Sequence, residues 1–247
     1  MNYVESYYAA TANPHEPWPL LQESIQCDVC IIGGGFTGLS AALYLTEAGY
    51  DVVVLEAARV GYGASGRNGG QVVNSYSRDV DVIEQRYGKE SARMLGSMMF
   101  EGAEIIRDRI DRYAIACDYR PGGIFAALNA RQMGHLRNQK KLWAQYGNHD
   151  LELLDERGIR REVATERYIG GLLDKRGGHL HPLNLALGEA EAIRRHGGRI
   201  YEQSAALNVV YGSPNRVKTA QGEVTAKFVI FAGNAYLPTK VEPRLSS

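Results

Sequence analysis

Val29-Cys30-Ile31-Ile32-Gly33-Gly34-Gly35-Phe36-Thr37-Gly38 is the stretch whose reading settles the fold. Four apolar residues run straight into glycines, and Gly33, Gly35 and Gly38 have the G-x-G-x-x-G spacing of a strand that turns into a helix. Each glycine has its own task in such a turn. Gly33 makes the tight bend, Gly35 leaves the backbone bare where a pyrophosphate comes close, and Gly38 lets the helix lie against the strand. The first amides of the helix, those of Phe36 and Thr37 among them, lack intrahelical acceptors and point at the phosphates.

Outward from this core, Leu39, Ala42, Leu43 and Leu45 mark one helix face, Gly49 caps the helix, and Asp51–Leu55 reads as a second apolar strand. Glu56 ends that strand, with Ala57 beside it. A carboxylate there accepts hydrogen bonds from both ribose hydroxyls and repels the extra phosphate of NADP. A glycine triplet alone is a weak signal, and the complete strand–loop–helix–strand context is what gives this one weight.

The same unit suits NAD or FAD, and a second glycine-rich stretch favours the flavin. Gly61-Tyr62-Gly63-Ala64-Ser65-Gly66-Arg67-Asn68-Gly69-Gly70-Gln71 is short of bulk, so its backbone can approach a flat ligand, and Arg67 is available to a pyrophosphate oxygen. A mobile linker is the other reading of that composition.

The expected class is α/β, a Rossmann-like dinucleotide-binding domain over 27–77 and 182–247 with an α+β substrate domain inserted at 78–181. Residues 1–26, with their aromatics and prolines, read as an arm laid over the surface. Asp79–Tyr113 reads as helix, Asp118–Leu128 and Tyr168–His181 as strands around a charged helix at Ala130–Gln145. Pro182 opens a helix through Arg195, and short strands follow over Arg199–Tyr211 and Arg216–Ala232.

The 28 basic and 28 acidic residues among 247 cancel, so no field gathers nucleic acid or anionic lipid, and a small molecule is the expected partner. No apolar run approaches the roughly 18 residues of a membrane span. Three cysteines and no signal-like start suggest a reducing cytoplasm. Cys27 and Cys30 have C-x-x-C spacing but fall in the first strand, so they read as small buried side chains; no metal site is expected. Met94, Met98 and Met99 read as core fillers. His179 and His181 alternate along one predicted strand and read as a structural pair.

Cys27–Glu56 followed by Gly63–Gln71 resembles the D-amino-acid-oxidase-like family of FAD-dependent amine oxidoreductases. The resemblance implies FAD as cofactor, with Gly63, Ala64, Ser65, Arg67, Asn68, Gly69, Gly70 and Gln71 along its pyrophosphate and flavin. It places Ala206, after Tyr201–Ala205, at the adenine, and Ala232, Gly233 and Asn234 in a second strand-to-turn segment over the cofactor. Five segments outside these motifs resemble a branch of the family that acts in putrescine breakdown. They are Ser6–Ala10, Asn74–Arg78, Ala92–Glu101, Cys117–Gly123 and Gly177–Leu185.

That branch implies oxidation of a small amine to an aldehyde, with ammonia and hydrogen peroxide released and molecular oxygen as acceptor. Oxidation of glycine or sarcosine, and an FAD-holding module without catalysis, are the alternatives. Tyr119 and Arg120, on a predicted strand, are candidate catalytic groups and equally suit packing or surface roles. Family members are longer, so the resemblance also implies that the substrate domain is incomplete here. A C-terminal half or partner subunit would cover the flavin, and the chain alone would be a poor catalyst.

Overall fold

A computed structural model describes residues 2–245, so Met1, Ser246 and Ser247, at the outer ends of two of the ranges above, lie outside the described residues. The chain forms α1 (Tyr7–Ala10), β1 (Ser24–Ile32), α2 (Phe36–Glu47), β2 (Val52–Leu55), a 3₁₀ turn at Ala64–Gly66, β3 (Gln71–Val72) and α3 (Val80–Tyr113). Then come β4 (Arg120–Ala127), α4 (Ala130–Gln145), β5 (Leu151–Leu154), α5 (Glu156–Glu162), β6 (Gly170–His179) and α6 (Pro182–Arg195). The last elements are β7 (Arg199–Tyr201), β8 (Asn208–Val210), β9 (Asn215–Lys218), β10 (Glu223–Phe231) and a 3₁₀ turn at Asn234–Tyr236.

Two compact units result: residues 1–69, 113–117 and 181–247 form the first, and 70–112 and 118–180 the second. The first is built on a six-stranded sheet in the order β7-β2-β1-β10-β9-β8, whose first four strands are parallel. Val29–Ile32 and Val52–Leu55 are buried at every residue, as befits parallel strands covered on both faces. Leu39, Ala42 and Leu43 of α2 pack with Leu183, Ala186, Ala190 and Ile193 of α6 in one core layer. Leu21, Cys30, Val53, Leu55 and Val224 lie in a second hydrophobic cluster.

Several boundaries differ from the sequence reading. β1 begins at Ser24, and Leu21 is fully buried with its N–H on Ser204 Oγ, so the end of the 1–26 arm is part of the sheet and core. The unit boundary falls after Gly69 and not after residue 77, because Gln71-Val72 leave the glycine-rich stretch to pair with β6. Tyr113–Cys117 group with the first unit, where the Cys117 carbonyl accepts the His181 N–H.

The second unit has a four-stranded sheet with β3, β6 and β4 in order and β5 also on β6, all antiparallel. Trp143, fully buried, receives the edges of Phe100 and Phe125. Asp174 is buried and accepts from Asn74 Nδ2 at 2.8 Å, Asn148 Nδ2 at 3.1 Å and the Arg176 N–H at 3.1 Å. The helix expected over Asp79–Tyr113 is interrupted at Gly88, whose φ of +82° no helix contains. Met99 is a core residue, but Met94 and Met98 are 59% and 53% exposed. These two lie one turn apart on the face turned away from Ala92, Phe100 and Ala103. β5 and α5 have no counterpart in the sequence reading.

Candidate functional site

β1 and β10 run parallel and end together, with Ile32 beside Phe231 and the Ala232 N–H on the Ile32 carbonyl at 2.8 Å. From β1 the chain winds through α2 to β2 on one side, while β10 lies on the other. Their carboxyl ends therefore form the switch-point crevice of an open α/β sheet. Gly33 has φ +117°, and a Cβ there would lie 2.5 Å from the Ala232 carbonyl oxygen. A Cβ on Gly38 would lie 1.9 Å from the Gly33 carbonyl oxygen. Backbone approaching backbone therefore fixes both glycines.

At Gly35 the neighbour is a side chain: a Cβ would come within 2.9 Å of Ser65 Oγ. That hydroxyl accepts the Phe36 N–H at 2.9 Å, so the two glycine-rich stretches meet at the head of α2. The Leu39 N–H finds the Gly35 carbonyl, and helix geometry leaves the amides of Thr37 and Gly38 to a ligand or water.

Glu56 closes one side of this cradle. Its Oε2 accepts the Gly34 N–H at 2.7 Å and its Oε1 the Ala58 N–H at 2.8 Å. Burial pushes its carboxyl above the ordinary value, and the bonds from Ala58 and Gly34 pull it part of the way back. The segment after β7 crosses beside it. Glu56 N–H donates to Tyr201 O, Ser204 N–H to Glu56 O, and Gln203 N–H to Ala58 O. This crossing brings Ala206, which is buried, to the same end of the sheet, whereas Ala57 is exposed.

Glu202 is only 1% exposed; it accepts the Val60 N–H at 2.8 Å and pairs with Arg59 Nη1 at 2.9 Å, holding the turn after Glu56. Sequence reasoning missed this pair. Its one signal was an acid directly after the apolar Ile200-Tyr201 of a strand.

The turn at Ala64–Gly66 leads to Arg67, which is exposed. Its Nε donates to Gly63 O at 3.2 Å, its Nη2 to Tyr236 Oη at 3.4 Å, and its guanidinium carbon lies 5.3 Å from the Tyr62 ring centroid. Asn68 Nδ2 donates to the carbonyls of Ala64 and Ser65. Across from this turn, Gly233 and Asn234, the latter at φ +50°, lead into Tyr236. The Tyr236 ring lies so close to Gly63 that a Cβ there would be 3.1 Å from it. Tyr236 is a further residue the sequence did not single out. Gly69 ends the first unit; Gly70 and Gln71 belong to the second, where Gly70 O accepts the Leu180 N–H and Gln71 pairs with His179.

The catalytic candidates of the second unit have local partners. Tyr119 Oη donates to Gly177 O at 3.2 Å, and exposed Arg120 opens β4 opposite His179. His179 and His181 do not form a pair on one strand, because β6 ends at His179 and His181 caps α6. Cys27 and Cys30 are free thiols within β1; burial pushes Cys27 up to about 12 and Cys30 higher still, which leaves both as poor nucleophiles. Among the described residues no cluster of three or more His, Cys, Asp or Glu is placed to hold a metal, and no helix is long and apolar enough to cross a membrane.

The profile of the FAD dependent oxidoreductase family, DAO, matches residues 28–246. The chain is 65% identical over 99% of its length to gamma-glutamylputrescine oxidoreductase of Escherichia coli, covering 57% of that protein. It is 41% identical over 95% of its length to the probable oxidoreductase OrdL of Haemophilus influenzae, covering 55%. The chain thus spans little more than half the length of these curated relatives. Among solved structures, L-amino acid deaminase from Proteus myxofaciens superposes with TM-score 0.73 at 19% identity, over 91% of this chain and 50% of that one. Glycine oxidase from Geobacillus kaustophilus does so with TM-score 0.68 at 20% identity, over 89% and 58%. At such identities these two speak for the fold alone.

Proposed function

The chain belongs to the DAO family of FAD dependent oxidoreductases, and on that premise we propose that it is the cofactor-holding part of an amine oxidase acting on gamma-glutamylputrescine. The observation that carries the substrate assignment is the 65% identity to gamma-glutamylputrescine oxidoreductase, which extends over 99% of the chain and so includes the second unit.

FAD is the family's cofactor, and the cradle suits it. Two glycines admit no Cβ, the head of α2 has amides to spare, and Glu56 stands at the end of the second strand. In this reading Gly33, Gly35, Thr37 and Gly38 hold the pyrophosphate, while the Phe36 amide expected there is taken by Ser65 Oγ; Glu56 holds the ribose, and Ala206 the adenine. The stretch Gly63–Gly69 and the turn Ala232–Asn234 line the remainder of the cofactor. When bound, FAD supplies the acceptor for a hydride equivalent from the carbon bearing the amine.

The protein's part is to bind and desolvate the amine. A primary amine with a lysine-like pKa of about 10.4 costs roughly 4–5 kcal/mol to neutralise at pH 7 in water. An apolar pocket lowers that cost by disfavouring the charged form. Hydrolysis of the oxidised product gives the aldehyde and ammonia, and molecular oxygen as electron acceptor gives hydrogen peroxide. Tyr119 and Arg120 stay candidates for contact with substrate. The rest of a longer polypeptide, or a partner subunit, would complete the substrate domain, and the protein would work in the cytoplasm.

The test is optical. The purified chain should take up FAD and turn yellow, and anaerobic gamma-glutamylputrescine should bleach the flavin of the protein carrying its complete substrate domain. A colourless chain that ignores added FAD removes the cofactor site; bleaching by sarcosine or glycine but not by gamma-glutamylputrescine removes the substrate.

A further inference from the structure

Three of the segments that lie outside the cofactor motifs meet at one point of the first unit: Ser6–Ala10, Cys117, and the His181-Pro182-Leu183-Asn184 turn. His181 is buried and is the N-cap of α6, its Nδ1 accepting the Asn184 N–H at 3.1 Å. An accepting Nδ1 leaves the ring proton on Nε2, which lies 3.0 Å from Thr11 Oγ1. Thr11 in turn donates to Tyr7 O at 2.7 Å, the Tyr8 ring stands edge-on to His181 at 5.0 Å, and the His181 N–H donates to Cys117 O at 2.7 Å. Asn13 strengthens the junction, its N–H donating to Asn184 Oδ1 at 2.8 Å. The N-terminal arm is thus fastened, through the His181 imidazole and the Asn184 side chain, to the first turn of α6.

That turn carries Leu183 and Ala186, and both press on the glycine-rich loop. A Cβ on Gly61 would meet each of them at 3.1 Å, and one on Gly66 would meet Leu183 Cδ1 at 3.1 Å. Between those glycines sits Ser65, whose hydroxyl receives the Phe36 N–H at the head of α2. A continuous chain of contacts therefore runs from Thr11 to His181, to Leu183, to the 61–66 loop and to the pyrophosphate cradle, all inside one unit. We infer that His181 is a positioning residue for FAD, clasping the N-terminal arm to α6 so that the first turn of that helix holds the 61–66 loop in its cofactor-binding shape.

This inference rests on the FAD reading above, and the test separates the two. FAD is titrated into the flavin-free full chain by fluorescence quenching, well below the melting temperature, for wild type, His181→Ala, His181→Asn and Thr11→Val. Losing a helix cap is worth about 1 kcal/mol, so His181→Ala should raise the Kd for FAD about fivefold. His181→Asn retains a capping oxygen and should recover most of the loss. Thr11→Val, an exposed change that removes the contact to His181 together with the local bond to Tyr7 O, should raise the Kd about twofold. Val217→Ala, in the buried part of β9 away from the loop, lowers the melting temperature without touching this chain of contacts and should leave the Kd unchanged. A wild-type chain that binds no FAD sinks the cofactor reading itself. Wild-type affinity retained in Thr11→Val and in whichever His181 variant folds overturns the clasp, as does a Kd that tracks melting temperature across all variants, Val217→Ala included.

Discussion

The two units bury their polar groups in different ways. In the first, the central strands are apolar at every buried position of Val29–Ile32 and Val52–Leu55, and the buried carboxylates lie off those strands: Glu202 in the segment after β7, Glu189 on α6 and Glu242 beyond the last 3₁₀ turn. In the second, Asp174 sits within β6 itself, held by two asparagine amides and a backbone N–H. A parallel sheet covered on both faces leaves no lateral room for polar side chains, so its chemistry gathers at the strand ends. An antiparallel sheet with one face less covered tolerates a polar network along its length. The site proposed for the cofactor in the first unit accordingly gathers at the carboxyl ends of its central strands.

The comparison breaks most sharply at Trp143. Trp143→Ala should cost the second unit about 4 kcal/mol of stability in urea unfolding, since a fully buried aromatic leaves a large cavity. If the units are as distinct as their cores, FAD titration of the first should change little. Gly38→Ala should cost about 3 kcal/mol through its backbone clash and should abolish FAD uptake, leaving the far-UV signal of the second unit in place.

The smallest effect sharpens the account of the strand-end carboxylate. Because burial raises the folded-state pKa of Glu56, the folded chain holds that proton more tightly than the unfolded one. Its contribution to stability is thus fully present below the unfolded pKa and is lost as pH rises through the raised folded value. FAD binding should run the other way. The ionised carboxylate accepts both ribose hydroxyls, so affinity should fall on acidification before an ordinary carboxylate would titrate. Glu56→Gln should lower affinity about tenfold at neutral pH and flatten that profile; an unchanged pH profile in calorimetric titration would remove Glu56 from the ribose site.

What could be read in the sequence follows the range of the forces involved. Gly38 and Glu56 were legible because the groups they meet, Gly33 and Gly34, lie within a few residues or one strand away, and Gly33 because its spacing belongs to the motif, although the Ala232 carbonyl that crowds it lies far along the chain. Ser65 was legible as part of a loop short of bulk but not as the acceptor for Phe36, a contact across 29 positions. His181 was misread as a strand residue, since alternation with His179 looks the same whether the strand stops at 179 or runs on. Met94 and Met98 show the same limit: apolar character says that a residue can be buried, while the face a helix turns inward is decided by what packs against it.

β10 is ladder-paired with β9 only over Glu223–Ala226, the Asn215 side-chain amide takes the Lys227 carbonyl at 2.9 Å, and among the described residues Phe228–Phe231 has strand pairing with β1 alone. Lys227-Phe228-Val229-Ile230-Phe231 carries one charge, and Phe228 is 64% exposed. Such an edge is a template for any extended backbone that reaches it, another molecule of this chain included. Handled alone at high concentration, the chain has an inbuilt route to aggregation, and a charge placed at Phe228 would be the simplest guard against it.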